Sequence, residues 1–371
     1  MIAQTARRTG AAIDAVRARA YRFPTADAME SDGTLEWNST TLVYVEIGAG
    51  GETGIGYTYG DAAAGTLING TLASTLHGAD ALATAACAAA LWARIRNDGR
   101  DGISAMAVSA LDIALWDLKG KLLGVPVCTL LGAARSNVPL YGSGGFTSYS
   151  PDRLVEHMER WIEDGIPRVK MKIGREPDRD ADRVARVRSA IGSAPQLFVD
   201  ANGAYAVKQA LEMARRFQES RVVWFEEPVY HRDLAGNAAV RRGAPAGMEI
   251  SNGEYGYAPD SFEAMLAAGA ADVLQADVTR CGGFSGFAVV DALCESRNFP
   301  LSSHCAPYAT LHAALAAKRL RHLEYFYDHV RIERRFFDGA APPVDGCLVP
   351  DLTRPGIGLT FKSADASEYE L

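Results

Sequence analysis

The sequence Val169-Lys170-Met171-Lys172-Ile173-Gly174 alternates apolar residues with two lysines. Side chains alternate between the two faces of a strand, so both ammonium groups project to the same side. If the apolar residues pack against helices and the lysines face inward, each charge lowers the pKa of the other lysine, and one of them can act as a base. A solvated edge strand is the alternative, because lysine is mostly exposed in proteins.

Short apolar strands alternate with helical stretches from Gly132 onward. The intervening segments, among them residues 151–164, 179–191 and 208–218, carry helical patterns. This rhythm predicts an α/β fold, a parallel β/α barrel of the TIM type, in which catalytic groups sit at the C-terminal ends of the strands. The predicted strands are Val138–Tyr141, Val169–Ile173, Leu197–Asp200, Val222–Glu226, Met248–Ser251, Val273–Asp277, Pro300–Ser303 and Leu323–Tyr325.

The residues before the barrel have a different pattern. Residues 13–57 predict antiparallel strands around a loop at 21–37, which is long enough to be a lid. Residues 61–97 are alanine-rich and helical, and residues 104–120 predict an amphipathic helix that ends at Gly120. We therefore predict an α+β capping domain at 1–132, the barrel at 133–328, and a turn-rich C-terminal segment at 329–371 that packs on the cap.

Composition excludes several classes of partner. The net charge is −7 without a sustained basic block, so nothing favours nucleic acid or an anionic membrane. The stretch Met1–Arg8 does not lead into a secretory signal, and no apolar run is long enough to span a bilayer. Six cysteines without C-x-x-C spacing predict reduced thiols and argue against a zinc or disulfide framework. We expect a cytoplasmic protein.

Three acidic residues follow consecutive predicted strands. Asp200 ends the third strand, Glu226 ends the fourth, and Glu254 follows the fifth. Each alone could be a helix cap or an exposed loop acid. In a barrel, however, all three converge at the same mouth, and hard oxygen ligands of this kind suit Mg²⁺, which also keeps positions open for water or substrate.

A second pair lies on the sixth and seventh strands. Asp277 and His304 end these adjacent strands, so the carboxylate can fix the imidazole tautomer and stabilise its charged form. A single histidine after a strand can also be structural, but this one faces Lys172 across the barrel. The eighth strand adds Glu324, for which a buried, paired acid is the alternative interpretation.

These residues form an ordered set of motifs. In chain order they are Asp112-Ile-Ala-Leu-Trp-Asp-Leu-Lys-Gly, Lys170-x-Lys172, Asp200-Ala-Asn202, Glu226-Glu-Pro, Gly-Glu254, Asp277 and His304. The set resembles the mandelate racemase subgroup of the enolase superfamily, the mandelate racemase and muconate lactonizing enzyme family, over nearly the whole chain. The resemblance implies a modified barrel of the (β/α)7β type with an α+β cap, and a homo-oligomer.

The resemblance also implies roles for single residues. Asp200, Glu226 and Glu254 would bind Mg²⁺, and Asn202, beside the metal, would be a substrate-binding residue. Lys172 would be the base on one face of the substrate, tuned by Lys170, and His304, oriented by Asp277, would serve the opposite face. A protonated Glu324 would hydrogen-bond the substrate carboxylate. Glu227 and the Gly282-Gly283-x-x-Gly286 stretch are interpreted as structural.

The implied chemistry is removal of the proton next to a carboxylate in a small-molecule sugar acid. We favour dehydration to a 2-keto-3-deoxy acid. Return of the proton by the opposite base would make a racemase or epimerase, and a cycloisomerase is a third possibility. A degenerate, non-catalytic barrel is opposed by the presence of every ligand and base. Four lid residues are candidates for binding substrate hydroxyls: Tyr21, Arg22, Thr25 and Trp37.

Overall fold

The computed structural model describes residues 11–371. The stretch Met1–Arg8, on which the absence of a secretory signal was predicted, lies outside the described residues. No helix within the described range is both long and apolar enough to cross a membrane.

The N-terminal unit is a cap made of an antiparallel sheet and helices. Its main sheet has the order β1-β4-β5, and β2 pairs with β3 in a separate short hairpin. The strands are β1 (Ile13–Pro24), β2 (Glu30–Ser31), β3 (Glu36–Trp37), β4 (Ser39–Ala49) and β5 (Glu52–Tyr59). The helices are α1 (Ala63–Leu67), a π-helical turn (Ile68–Leu72), α2 (Ala73–Leu76), α3 (Thr84–Arg94), α4 (Ile103–Leu123) and α5 (Val127–Leu131).

Two predicted boundaries in the cap are wrong. The lid loop does not begin at Tyr21, because β1 pairs with β4 as far as Pro24. Helix α4 does not end at Gly120 but at Leu123, where Gly124 adopts the left-handed conformation. Gly120 serves a different purpose: a Cβ there would lie 2.8 Å from the Cα of Gly356, so its absence lets the C-terminal segment cross the helix closely.

The barrel follows the cap and agrees with the predicted rhythm. Eight parallel strands of the described chain form a nearly closed sheet in the order β12-β11-β10-β9-β8-β7-β6-β13. The strands are β6 (Val138–Gly144), β7 (Arg168–Lys172), β8 (Gln196–Asp200), β9 (Val222–Glu226), β10 (Glu249–Asn252), β11 (Val273–Ala276), β12 (Leu301–Ser303) and β13 (Leu323–Phe326). The helices are α6 (Pro151–Glu163), α7 (Pro177–Ile191), α8 (Val207–Glu219), α9 (Leu234–Gly243), α10 (Pro259–Ala268), α11 (Gly283–Ser296), α12 (Pro307–Ala316) and α13 (Tyr327–Phe336).

The C-terminal segment returns to the cap. Its elements are β14 (Phe337–Asp338), β15 (Cys347–Leu348), β16 (Thr360–Phe361), α14 (Ser363–Ala366) and a 3₁₀ turn (Ser367–Tyr369). The Phe361 ring packs on Tyr44 and Tyr21 of the cap sheet at centroid distances of 4.4 and 5.0 Å. The backbone N–H of Leu371 donates to the carbonyl of Ala20 at 2.9 Å. Because α13 spans the predicted boundary at 328, we propose that the barrel extends to Phe336.

Candidate active site

The two lysines of β7 point into the barrel. Val169 and Met171, on the other face, are fully buried, and burial of such side chains contributes about 1.5–3 kcal/mol each. A slip of one residue would turn Val169 and Met171 into the polar barrel mouth and press the lysines against the surrounding helices, so the apolar face fixes the register. Lys170 and Lys172 are themselves 0% and 6% exposed. The alternative of a solvated edge strand is wrong, because β7 lies between β6 and β8.

Each lysine contacts carboxylates at the mouth. The Nζ of Lys170 forms ion pairs with Glu226, with Glu324 at 2.8 Å and with Asp200 at 3.4 Å. The Nζ of Lys172 lies 2.5 Å from Oδ2 of Asp200 and donates to Oδ1 of Asn202 at 2.9 Å. Both lysines are therefore linked to the acids that the sequence predicts as metal ligands.

Lys170 acts to lower the pKa of Lys172, as predicted, but the surrounding carboxylates outweigh this effect. Burial acts to lower the pKa of Lys172, but the Asp200 carboxylate outweighs it and raises that pKa above its ordinary value. The pKa of Lys170 is raised in the same way, chiefly by Glu226 and Glu324 against the effect of burial. A divalent cation held by these carboxylates would offset their charge and favour the neutral amine that a base requires.

Asp200, Glu226 and Glu254 form a compact acidic cluster. Strand register aligns Lys172, Asp200 and Glu226 side by side, and Glu254 follows the end of the next strand. One carboxylate oxygen from each acid lies within 4.8 Å of the others, and all three residues are buried. Burial and the charge of Asp200 raise the pKa of Glu226 well above its ordinary value. Oε2 of Glu254 is buried without a hydrogen-bonding partner.

This donor set fits a hard divalent cation. Three buried carboxylates that repel one another are stabilised by a cation between them, and an all-oxygen set selects ions such as Mg²⁺ over softer metals. The sequence did not reveal the groups that hold Glu226 in place. Its Oε2 accepts hydrogen bonds from the indole of Trp224 and the amide of Gln275, both at 2.9 Å. Gln275 is oriented in turn by Ser251 at 2.8 Å.

His304 is held by Asp277 on the other side of the mouth. Nδ1 of His304 lies 2.8 Å from Oδ2 of Asp277, whose Oδ1 accepts from the backbone and hydroxyl of Thr279 at 2.7 Å. Burial acts to raise the pKa of Asp277, but the hydrogen bond from His304 outweighs it and lowers that pKa. Asp277 is therefore an ionised orienting group, and Nε2 of His304 faces Glu254 at 3.4 Å.

Glu324 pairs with a lysine of the barrel, and the protonated form predicted for it against a substrate carboxylate stays a prediction. Its Oε1 pairs with Lys170 at 2.8 Å, and its Oε2 accepts from the backbone N–H of Cys305 at 2.8 Å. Burial opposes the ionised form, but Lys170 outweighs it and lowers the pKa of Glu324 below its ordinary value. Glu324 thus corresponds to the buried, paired acid of the alternative interpretation.

The backbone at the mouth is conformationally strained. Asn202, Glu227, Cys305 and Ala306 all have positive φ angles, between 38° and 48°. Such angles are unfavourable for residues other than glycine, and they persist where the surrounding structure requires them, often at functional sites. Two of these residues follow β8 and β9 closely, and the other two lie directly after His304. The strain therefore coincides with the strand ends that carry the polar cluster.

Residues 25–38 form a lid over the mouth. The carbonyl of Ser31 accepts from the N–H of Thr147, after β6, at 2.8 Å. Gly33 lies against the end of β7, where a Cβ would be 2.4 Å from the carbonyl oxygen of Ile173. Glu36 pairs with Arg175 at 2.9 Å. The lid therefore rests directly on the strand end that carries Lys172.

The structure does not bring all predicted lid residues to the site. Tyr21 is 1% exposed and packs on Phe361, and Arg22 is an exposed residue of β1, so neither belongs to the lid, and their roles in substrate binding stay predictions. Thr25 bonds locally to the carbonyl of Asp27. Trp37 lies in the lid, and its indole N–H donates to Asp328 at 3.1 Å. A role for Trp37 in substrate binding stays a prediction.

The sequence did not point to Glu30, a buried acid under the lid. Glu30 is fully buried, and neither of its carboxylate oxygens accepts a hydrogen bond. Oδ1 of Asp328 is likewise buried and accepts no hydrogen bond. Burial and the adjacent carboxyl of Asp328 raise the pKa of Glu30 to about 9. Asp27 adds to this effect, and Arg331 opposes it. Two facing carboxyl groups can hydrogen-bond only if they share a proton, so Glu30 is protonated at neutral pH.

We expect Glu30→Gln to flatten the pH dependence of stability. An acid whose pKa is raised on folding contributes stability that is complete below its unfolded value, about 4.5, and that is lost as pH rises through its folded value, about 9. The wild type should lose up to about 1.4 kcal/mol of unfolding free energy per pH unit from this group. Thermal melting of both proteins between about pH 4.5 and pH 9 measures this loss of stability. The exposed Glu163→Gln is the control, and identical profiles for Glu30→Gln and wild type would refute the shared proton.

Two family profiles match the chain. A family profile described as "Enolase C-terminal domain-like" matches residues 153–366. A second profile, "Mandelate racemase / muconate lactonizing enzyme, N-terminal domain", matches residues 14–132. The two matches together cover most of the cap and the barrel.

Two characterised relatives differ in their reactions. The chain is 34% identical to 3,6-anhydro-alpha-L-galactonate cycloisomerase of Streptomyces coelicolor, over 94% of this chain and 97% of the relative. It is also 34% identical to L-talarate/galactarate dehydratase of Salmonella typhimurium, over 64% of this chain and 59% of the relative. The similarity therefore extends to enzymes of more than one reaction class.

Solved structures share the whole architecture. A mandelate racemase/muconate lactonizing enzyme-like protein from Rubrobacter xylanophilus superposes with a TM-score of 0.94 at 48% identity, covering 97% of this chain and all of that one. A racemase from Streptomyces coelicolor A3(2) with bound magnesium gives a TM-score of 0.91 at 32% identity, with the same coverage. The predicted barrel with its α+β cap is confirmed.

Proposed function

Because this chain belongs to the mandelate racemase and muconate lactonizing enzyme family of the enolase superfamily, we propose that it dehydrates a sugar acid to a 2-keto-3-deoxy acid. The chain is an enzyme of that superfamily. One observation carries the proposal: Lys172 on β7 and His304 after β12 present nitrogens to one mouth, with the acidic cluster between them in the barrel order. Removal of a proton and departure of an oxygen need two such groups.

Mg²⁺ is the cofactor that fits the acidic cluster. Asp200, Glu226 and Glu254 would hold it, as the all-oxygen chemistry of the cluster requires. When bound, it polarises the substrate carboxylate and shares the negative charge that develops on the carboxylate oxygens. The structure of the racemase from Streptomyces coelicolor A3(2) contains magnesium, which supports the assignment.

Lys172 removes the proton from the carbon next to the carboxylate. Its amine projects from the end of β7, and the Asn202 amide oxygen and the Asp200 carboxylate fix its direction. Lys170 lies two residues earlier on the same strand, deeper in the barrel, and forms ion pairs with Glu226 and Glu324. It therefore supplies a fixed positive charge beside the acidic cluster. Such preorganised charge stabilises the developing anion without reorganisation.

His304 donates a proton to the departing hydroxyl group. Asp277 accepts from Nδ1 and stabilises the charged imidazole, which leaves Nε2 as the atom that faces the mouth. A hydroxyl leaves readily as water and only slowly as hydroxide, so a positioned acid is required. The enol that remains tautomerises to the 2-keto-3-deoxy acid.

A cycloisomerase is the second candidate. The 3,6-anhydro-alpha-L-galactonate cycloisomerase of Streptomyces coelicolor matches 94% of this chain, whereas the match to the dehydratase covers 64%. The same proton chemistry serves both reactions if the departing oxygen belongs to a ring ether, because the ring then opens and no water is lost. The product would be an isomer of the substrate.

The test is a screen of the purified protein with Mg²⁺ against sugar mono- and diacids, anhydro acids and lactones, in H₂O and in D₂O. Keto-acid product lighter by one water establishes dehydration, and keto-acid product of unchanged mass establishes ring opening. Deuterium at the α-carbon without keto acid would replace the proposal with a racemase or epimerase. Absence of exchange with every acid, with or without Mg²⁺, would overturn it.

Two expectations from the sequence stay predictions. The cytoplasmic location has no support beyond the composition. The homo-oligomeric state implied by the family resemblance requires a measurement of mass in solution.

A further inference from the structure

His304, Cys305 and Glu324 form a second group of potential metal ligands beside the acidic cluster. One ligand atom from each residue lies within 4.8 Å of the other two, and all three residues are buried. Sγ of Cys305 is 3.3 Å from Nε2 of His304, and that nitrogen is 4.0 Å from Oε2 of Glu324. Neither the proposed reaction nor the Mg²⁺ site uses the thiol.

The backbone holds this thiol in place. Cys305 and Ala306 have φ angles of 48° and 41°, which turn the chain sharply after β12. The backbone N–H of Cys305 is bonded to Glu324, and the N–H of Ala306 is bonded to Nδ1 of His329 at 3.1 Å. The strained turn therefore fixes the sulfur against the imidazole, so ligand atoms from two adjacent residues and from the neighbouring strand converge on one point.

We propose that His304, Cys305 and Glu324 form a site for Zn²⁺ and similar thiophilic divalent ions, and that its occupation inhibits the enzyme. A sulfur, nitrogen and oxygen set is typical of zinc, whereas the adjacent all-oxygen cluster suits Mg²⁺. Bond lengths of about 2.3 Å to sulfur and about 2.0 Å to nitrogen place tetrahedral ligands about 3.5 Å apart. The 3.3 Å sulfur to nitrogen distance fits this geometry, whereas Oε2 of Glu324, 4.0 Å from the nitrogen, has to move inward by about 0.7 Å or more to become a ligand.

Zn²⁺ would inhibit the enzyme because it would bind a nitrogen that the reaction needs. Zn²⁺ at this site binds Nε2 of His304, the nitrogen that carries the proton to the leaving group, so this part of the inference rests on the proposed function. The Cys305 thiol must lose its proton to act as a ligand. Binding then forms a metal–sulfur bond and releases one proton to solvent.

Cobalt tests the site independently of the reaction, because a thiolate bound to Co²⁺ gives a charge-transfer absorption band in the near ultraviolet. The protein is first saturated with Mg²⁺ to protect the acidic cluster and is then titrated with Co²⁺. We expect the band in the wild type and in Cys347→Ser, which removes a more accessible thiol, and its loss in Cys305→Ser. Absence of the band in the wild type, or an equal band in Cys305→Ser, would overturn the site.

Inhibition is measured separately, with a substrate from the screen and excess Mg²⁺. We expect the Zn²⁺ concentration for half-inhibition to rise at least tenfold in Cys305→Ser, judged against that variant's own uninhibited rate, and to stay unchanged in Cys347→Ser. A cobalt band without inhibition by Zn²⁺ would leave the site intact, and would overturn the inhibitory effect together with the role of His304. Lack of any activity with intact cobalt binding would count against the proposed function alone.

Discussion

The Lys172→Ala variant is expected to lose about 10²–10⁴-fold in kcat, the range that a positioned base contributes. It should also lose exchange of the substrate's α-proton in D₂O, because no base remains at the end of β7. Lys170 cannot replace it, since its Nζ is fully buried and held by Glu226 and Glu324. Both quantities are measured with the best substrate of the screen at saturating Mg²⁺.

The control for this variant is Lys318→Ala. Lys318 is an exposed lysine paired with Glu295 on the surface, so its removal should leave kcat and exchange unchanged. Lys172→Ala also leaves Asp200 without its closest partner, and thermal melting with Mg²⁺ shows whether the fold survives. A folded Lys172→Ala variant with full exchange would exclude Lys172 as the base.

His304→Asn is expected to separate the two halves of the reaction. Formation of keto acid should fall by about 10²–10⁴-fold, because the departing oxygen loses its acid. Exchange of the α-proton should continue, because Lys172 and the acidic cluster are untouched. The measurement compares exchange and keto-acid formation in the same D₂O reaction by mass spectrometry and nuclear magnetic resonance.

His77→Asn is the matched control, because His77 is an exposed histidine of the cap, remote from the barrel strands in sequence. It should change neither quantity. If His304→Asn loses exchange and elimination to the same extent, His304 acts in the proton-removal step itself. The division of roles between the two nitrogens would then be wrong.

The sequence was sufficient to predict the barrel and the polar cluster, for local reasons. Each barrel strand is a short apolar run, and its polar group comes at the C-terminal end, as in Phe198-Val199-Asp200. Parallel topology brings those ends to one mouth. The inward direction of Lys170 and Lys172 follows from alternation, since their neighbours on the strand must be buried. The predicted strand limits consequently lie within one residue of the observed ones, apart from the longer first strand.

The charge states could not be predicted in the same way. A pKa depends on which groups from different strands are in contact. The pKa of Lys172 is set by the carboxylate of Asp200, and that of Glu324 by Lys170, and both partners lie on other strands. Glu30 is a polar residue in a loop, and nothing local indicates that the lid buries it. Tyr21 was misplaced because Pro24 suggested an early end to β1, whereas pairing with β4 continues to that residue.

The return of the C-terminal segment to the cap also has a consequence for the order in which a new chain folds. N-terminal parts of proteins generally fold first during synthesis. Here the cap sheet packs on Phe361, and the carbonyl of Ala20 accepts a hydrogen bond from Leu371. Phe361 and Leu371 both follow the entire barrel in the chain. The cap strands are therefore made early but complete their packing only after the barrel has left the ribosome. The lid, which extends from β1, would gain its final support last, over a mouth already formed.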